Sequence, residues 1–354
     1  MAGNSGAFER IALTRLPELQ LANGLFRATP RIEAPGVAGP EASTLRAGSI
    51  VLLGLLRADE VGLIHPFSTG ALRTRVLGDL GTESVGPGEL GLALWAESRA
   101  DGGAIDEITG LITETVADRF DRIPLEQLSW LVSGLTASSE RSGGEQTTVL
   151  LDRAEAELLA RMAAGTGLMH DPYHRIGGGL TPVAGQFHSL IALDQLVRSE
   201  RGENDREPAQ RLATALLDLQ REDGSWPGIV DSLRGEAAAL YPILTVTQVA
   251  LAPIAFGSAQ RLGLEGDFAG AISRSIGWVN GGNRLGFDLV HEREARLDRG
   301  ILLRREPGAV SRGFSTAARR LRGRLDDPEP ERLILDPDVS SEDLGWLLEA
   351  WAGR

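Results

Sequence analysis

The stretch Gln220-Arg-Glu-Asp223-Gly224-Ser225-Trp226-Pro227 closes the amphipathic run PAQRLATALLDLQ. A helix that ends at a glycine free to take positive φ, followed by a large aromatic that folds back on it, makes a tight turn between packed helices. Gly167 in AAGTGLM and Gly282 in WVNGGNRLG also follow helix-like runs, at intervals of 57 and 58 residues on either side of Gly224. That period suits one helical hairpin, so the chain is expected to stack hairpins.

Two kinds of helix alternate around this turn. TPVAGQFHSLIALDQLVRSE and YPILTVTQVALAPIAFGSAQRLG are apolar on most faces, with Pro253 expected to kink or divide the second, whereas PAQRLATALLDLQ and DFAGAISRSIGWVNGG keep one wet face. A ring of buried helices inside an outer ring produces this alternation. The fold class predicted is therefore all-α, an (α/α) toroid or barrel of about six hairpins. An open solenoid has the same local pattern, so closure is a further step. The helical runs TLRAGSIVLLGLLRA, GPGELGLALWAESRA, DEITGLITETVADRF and PLEQLSWLVSGLTAS fit the period less well.

Residues 1–42 are expected to form an N-terminal arm on the outside or over one mouth, and residues 43–354 the toroid domain. Beyond Asn283 the segment RLGFDLVHEREARLDRGILLRREPG reads as a helix or a strand pair, and RLIL as one short strand. The Arg312 to Arg324 run reads as a solvated helix face, and EDLGWLLEAWAG as the helix that completes the last hairpin.

Composition removes several chemistries. The 354 residues contain no Cys, and all 36 basic residues are Arg, so thiolate nucleophiles, sulfur-bound zinc and lysine Schiff bases are excluded. A net charge of −13 opposes a nucleic-acid partner. No uninterrupted apolar run is long enough to span a membrane, and the N-terminus lacks a secretory apolar core, so a cytoplasmic location is expected. No cofactor and no metal are expected, and the partner is a small-molecule substrate.

The spacing Gln220, Asp223, Gly224, Ser225, Trp226 spells Q-x-x-D-G-S-W. It resembles the repeat motif of squalene and other terpene cyclases and of protein prenyltransferase β subunits. The resemblance covers about residues 180–283 and implies an α/α toroid in which Gln220 caps an outer helix and meets Trp226. It also implies an isoprenoid substrate. The catalytic motifs of that family are absent: there is no D-x-D-D, no Cys for a zinc site, and the nearest approach to D-D-x-x-D, Asp326-Asp327-Pro-Glu-Pro-Glu331, is broken by prolines. Six-hairpin glycosidases and sugar epimerases use a similar toroid.

In such a fold the pocket opens where loops enter the inner helices, so polar residues there are the candidates. Met169-His170-Asp171-Pro-Tyr-His174 precedes an inner helix. Asp171 and His174 are candidate acid or base groups and His170 a substrate contact, the alternative being a structural turn with an Asp cap. Pro172 and the following glycines argue against a metal held by His170 and His174. Gln186 and His188, in the next apolar helix, either line the lumen or hydrogen-bond a neighbour. Asp231, Glu236 and Tyr241 are candidate catalytic groups at the entry to the most apolar helix, with Arg234 and Gln248 as substrate contacts. Asp288 and His291 belong to the densest acidic cluster with a histidine, where a helix would put Asp288 and Glu292 on one face.

The reading that follows is a terpene cyclase-like or isomerase-like enzyme acting on an isoprenoid by carboxylate acid and base chemistry. The alternatives are a carbohydrate-active hydrolase, lyase or epimerase on the same toroid, and a non-catalytic binding scaffold.

Overall fold

The computed structural model describes residues 2–27, 44–81, 85–116, 119–142, 144–171, 179–199, 205–304 and 327–354. The Arg312 to Arg324 run and His174 lie outside them. Among the described residues there are twelve α-helices: α1 (Ala2–Leu19), α2 (Thr44–Glu60), α3 (Thr69–Gly78), α4 (Pro87–Arg99), α5 (Ile105–Val116), α6 (Leu125–Ser142), α7 (Glu145–Ala160), α8 (Val183–Arg198), α9 (Arg206–Asp218), α10 (Ala252–Arg261), α11 (Phe268–Val279) and α12 (Ser341–Trp351). A π-helical turn, Thr247–Leu251, leads into α10, and Pro253 stands at its first turn, where a missing N–H costs no helical bond.

The even-numbered helices form the inner ring. α2 packs on α4, α4 on α6, α6 on α8, α8 on α10, and α12 on both the π-turn and α2. The ring therefore closes, and the fold is an (α/α) toroid. The odd-numbered helices stand outside it, with α3, α5, α7, α9 and α11 each against the inner helix before it, and α1 against α12. In the expected arm, the helix at residues 2–19 thus serves as an outer helix, with Phe8 and Trp351 rings 5.3 Å apart.

Glycines allow two inner pairs to approach closely. A Cβ on Gly134 would lie 2.1 Å from the Gly91 carbonyl oxygen, and one on Gly54 would lie 2.4 Å from that of Gly345. At the far end from the long loops, Arg99 of α4 ties the ring together by reaching Glu60 of α2 at 2.9 Å and Glu349 of α12 at 2.7 Å.

Connections from inner to outer helices are short; of those from outer to inner helices, the ones entering α2, α8, α10 and α12 are long, and the last three carry all eight strands found among the described residues. β1 (Leu180–Pro182), β2 (Ile229–Asp231) and β3 (Glu236–Ala239) form one antiparallel sheet. β4 (Ile243–Leu244), β7 (Gly300–Leu303) and β8 (Leu333–Asp336) form a second, and β5 (Val290–His291) pairs with β6 (Arg296–Leu297). RLIL is thus a strand. The Asp288 to Asp298 segment is a hairpin whose connection is a short 3-10 turn, so the helical i, i+4 pairing of Asp288 and Glu292 does not form.

The turn at Gly224 shows why the motif recurs. Gln220 Nε2 donates to the Gly224 carbonyl at 2.9 Å and to the Ala271 carbonyl of α11 at 2.8 Å, while its Oε1 accepts from Arg274 at 2.9 Å. The Trp226 indole N–H donates to Leu216 O at 2.7 Å, and its ring meets Phe187 and Phe256. Gly224 has φ +91°, and a Cβ there would lie 2.3 Å from Arg274 O; Gly167, with φ +75°, faces α9 in the same way, a Cβ there lying 2.9 Å from Arg211 O. At the third turn the positive φ falls on Gly281 instead of Gly282. Gly224→Ala is expected to destabilise the protein by about 1–3 kcal/mol from backbone strain alone, read from urea unfolding midpoints at unchanged m-value.

Candidate functional site

The long connections all meet at the N-terminal ends of the inner helices, and the first turns of four of those helices carry charged residues close enough to act on one another. Arg46 is in the first turn of α2, Glu89 of α4, Glu126 of α6 and Glu342 of α12. Local structure sets each of them. Ser340 caps α12 in a capping box with Asp343, which holds Glu342 at the second helical position. Asp171 Oδ2 accepts the Leu125 N–H at 3.2 Å, one of the donors that α6 cannot satisfy internally, and so fixes the turn carrying Glu126. Glu89 reaches back to the Gly86 N–H at 3.1 Å.

Arg46 Nε and Nη2 both lie 2.9 Å from a single oxygen, Glu342 Oε1. Among the described residues no bond of that kind involves Oε2, and the Glu342 side chain keeps 17% exposure. Burial opposes the Arg46 charge, but Glu342, Glu126 and Glu89 outweigh it and hold the guanidinium charged. Burial likewise pushes the Glu342 carboxyl up; Arg46 opposes this, Asp343 and Glu126 add to it, and the result lies above the usual carboxylate range. Glu126 and Glu342 stand on inner helices that are not neighbours in the ring, so they influence one another across the lumen.

One turn deeper, ring side chains from four inner helices pack together. His188 of α8 meets Trp130 of α6 edge-on at 5.3 Å and Trp346 of α12 at 5.1 Å, and Trp346 meets Trp95 of α4 at 6.2 Å. His188 Nε2 lies 3.5 Å from Glu126 Oε1, and burial lowers the His188 pKa to about 3, so the imidazole is neutral in ordinary conditions. The arrangement is a charged floor resting on an aromatic and imidazole plug. Within it, Glu342 is a carboxyl whose raised pKa suits proton exchange.

His188 lies in the plug beneath this floor, and Asp171 holds the turn that carries Glu126. Gln186 and Gln248 instead fasten the repeat turns: Gln186 exchanges two hydrogen bonds with the Met169 backbone, at 2.8 and 2.6 Å, and Gln248 Oε1 accepts the Trp226 N–H at 3.0 Å. His170 is bonded through Nδ1 to Arg161 O at 2.7 Å. Asp231 is buried in β2 opposite Glu236, and its Oδ1 accepts the Leu233 N–H; Arg234 and Glu236 are exposed on this hairpin. Tyr241 faces the charges of the repeat turn. Burial raises its pKa, with Asp327 and Asp223 adding to the effect and Arg221 and Arg284 opposing it. Asp327 is bound by Arg221 at 2.6 Å, in keeping with a connector role for the acidic run.

Asp288 and His291 come together in a separate recess of about 420 Å³, lined also by Asn280, Glu292 and Glu294. There His291 Nε2 lies 3.0 Å from the buried Asp298 Oδ2. Arg10 of α1 contacts Glu292 at 3.7 Å, placing this hairpin against the outer ring. Among the described residues no group of three or more His, Asp or Glu side chains is arranged to hold a metal, and no helix is long and apolar enough to cross a membrane.

Reasoning from sequence missed Arg46, Glu89, Glu126 and Glu342. Acidic residues in a first helical turn are ordinary complements to the helix dipole, and nothing in their spacing separates these from others.

Comparison with solved structures agrees with this architecture. A sugar epimerase from a ruminal bacterium superposes with a TM-score of 0.60 at 11% identity, covering 98% of this chain and 97% of that one. A glycosyl hydrolase family 88 protein from Bacteroides vulgatus gives 0.58 at 9% identity over 98% and 96% of the two chains. The unsaturated glucuronyl hydrolase from Bacillus sp. GL1 gives 0.58 at 14% identity over 99% and 96%. These likenesses establish the fold. No family model and no curated protein matches the sequence. The toroid implied by the Q-x-x-D-G-S-W resemblance is present, but these neighbours are named for sugar chemistry and lend no support to the terpene cyclase family itself.

Proposed function

We propose that the protein is a carbohydrate-active enzyme, a hydrolase, lyase or epimerase, that binds a sugar at the lumen mouth and moves a proton through Glu342. The observation that carries this reading is a carboxyl with a raised pKa whose one oxygen is clamped by Arg46, set across the lumen from a second carboxylate, Glu126. Two carboxyl groups facing one ligand are the common equipment of glycoside chemistry, where one donates a proton and the other serves as base or nucleophile. A raised pKa suits the donor. The sugar-directed names of the structural neighbours support the same substrate class. The isoprenoid reading rested on Gln220 and Trp226, and their hydrogen bonds and packing account for both.

The test is incubation of the purified protein with panels of neutral, amino and uronic-acid oligosaccharides and of free aldoses, followed by NMR. Hydrolysis releases a new reducing end, a lyase leaves an unsaturated uronate, and an epimerase exchanges a carbon-bound hydrogen with solvent deuterium. Loss of any such signal in Glu342→Gln ties it to this floor. No turnover and no sugar binding across the panels would reject the proposal in favour of a binding scaffold.

A further inference from the structure

We infer that Arg46 is a positioning residue that confines the transferable proton of Glu342 to Oε2. The inference deepens the proposed function and rests on it for the identity of the proton donor. Both Arg46 N–H groups point at Oε1, each at 2.9 Å. An oxygen facing two cationic donors cannot itself carry a hydrogen, because that hydrogen would meet the donor hydrogens head-on. When Glu342 is protonated, its proton therefore sits on Oε2, the oxygen outside the fork. The planar guanidinium also fixes the carboxyl plane, which a single ammonium cannot do.

Arg46 itself is held from several sides. Glu342 is its hydrogen-bonded partner, and Glu89 on α4 and Glu126 on α6 add their charges. Asp343 faces Glu342 from the same helix, and Arg299 approaches Asp343 at 3.8 Å. The fork thus has two consequences for Glu342. Its charge restrains the upward push of burial, and its geometry selects the oxygen that exchanges the proton. In the transfer, the O–H bond at Oε2 breaks as the ligand oxygen or carbon gains the proton, and the carboxylate formed is stabilised by the fork already in place at Oε1.

The experiment uses the full chain carrying 13C-carboxyl-labelled glutamate, with the Glu342 resonance identified by its loss in Glu342→Gln. In Arg46→Gln the Glu342 titration midpoint is expected to rise by about one pH unit or more, because an adjacent cation has been removed. Turnover of whichever sugar the panels identify is expected to fall in kcat by about 10²-fold with KM little changed, and its pH profile is expected to follow the midpoint upward. Arg46→Lys keeps the charge and loses the fork, so the midpoint should return close to that of the wild type while kcat recovers only in part. An unmoved midpoint in Arg46→Gln, or full kcat in Arg46→Lys, overturns the inference. If Arg46→Gln does not fold, the Arg46→Lys kcat decides. If no sugar is turned over, the proposed function fails, and an unmoved Glu342 midpoint in Arg46→Gln still overturns the inference.

Discussion

Glu342→Gln is expected to lower kcat by about 10²–10⁴-fold, the usual worth of a positioned proton donor, while leaving the fold and KM close to those of the wild type. The substitution is nearly isosteric and keeps an oxygen for Arg46 to hold, so the fork and the capping box around Ser340 and Asp343 have no reason to break. What it removes is the ionisable proton. The pH dependence has a definite sign. A group that works as its acid form is active below its pKa, and burial has raised that of Glu342 above the ordinary carboxylate range. Wild-type activity should therefore fall as pH rises through this raised value. Initial rates across pH for both proteins provide the check; equal rates would remove Glu342 from the mechanism. Glu126→Gln, measured beside it, separates the donor from its partner: a base or nucleophile is lost at low pH, where it is protonated.

Trp226→Ala is expected to have the largest effect on stability, about 3–5 kcal/mol for emptying a buried tryptophan site. The side chain has no exposure, its ring contacts Phe187 and Phe256, and its N–H satisfies Leu216 O inside α9. Trp226→Phe keeps part of the packing but leaves that carbonyl without its donor, which costs about 1–3 kcal/mol. Chemical denaturation of the two variants reads both numbers. Turnover per folded molecule should be unchanged, because Trp226 is placed in the packing of the repeat turn and not on the charged floor. A selective loss of turnover at full stability would return Trp226 to the chemistry.

The contrast between these residues explains how far the sequence could be read. Gln220, Gly224 and Trp226 were legible because a turn between packed helices needs particular residues at fixed spacing, and a glycine at positive φ has few substitutes. The alternation of buried and half-wet helices made the two rings legible for a related reason: each helix records its own burial in its pattern. Closure was not legible. It depends on α12 meeting α2, a contact between the two ends of the described chain that no local pattern encodes. The floor was hidden for the same reason. His188 and Asp171 drew notice because a polar group beside an apolar helix is conspicuous, whereas Glu342 and Arg46 gain meaning only when separate first turns converge. Gln186 and Gln248 are the converse case. Their polarity in apolar helices is explained by backbone groups at Met169 and Trp226, two residues beyond the glycine of each turn.

A closed ring also constrains how such a protein can change in length. In an open array each unit leans on its neighbours alone, and a copy can be gained or lost at modest cost. Here every inner helix has a neighbour on both sides, and glycine contacts such as Gly54 with Gly345 are cut to one curvature. Deleting a single hairpin would open a gap that no other helix is shaped to fill, and inserting one would part a seam that glycine has already narrowed. Variation is left to the long connections at the mouth, whose lengths differ without disturbing the ring.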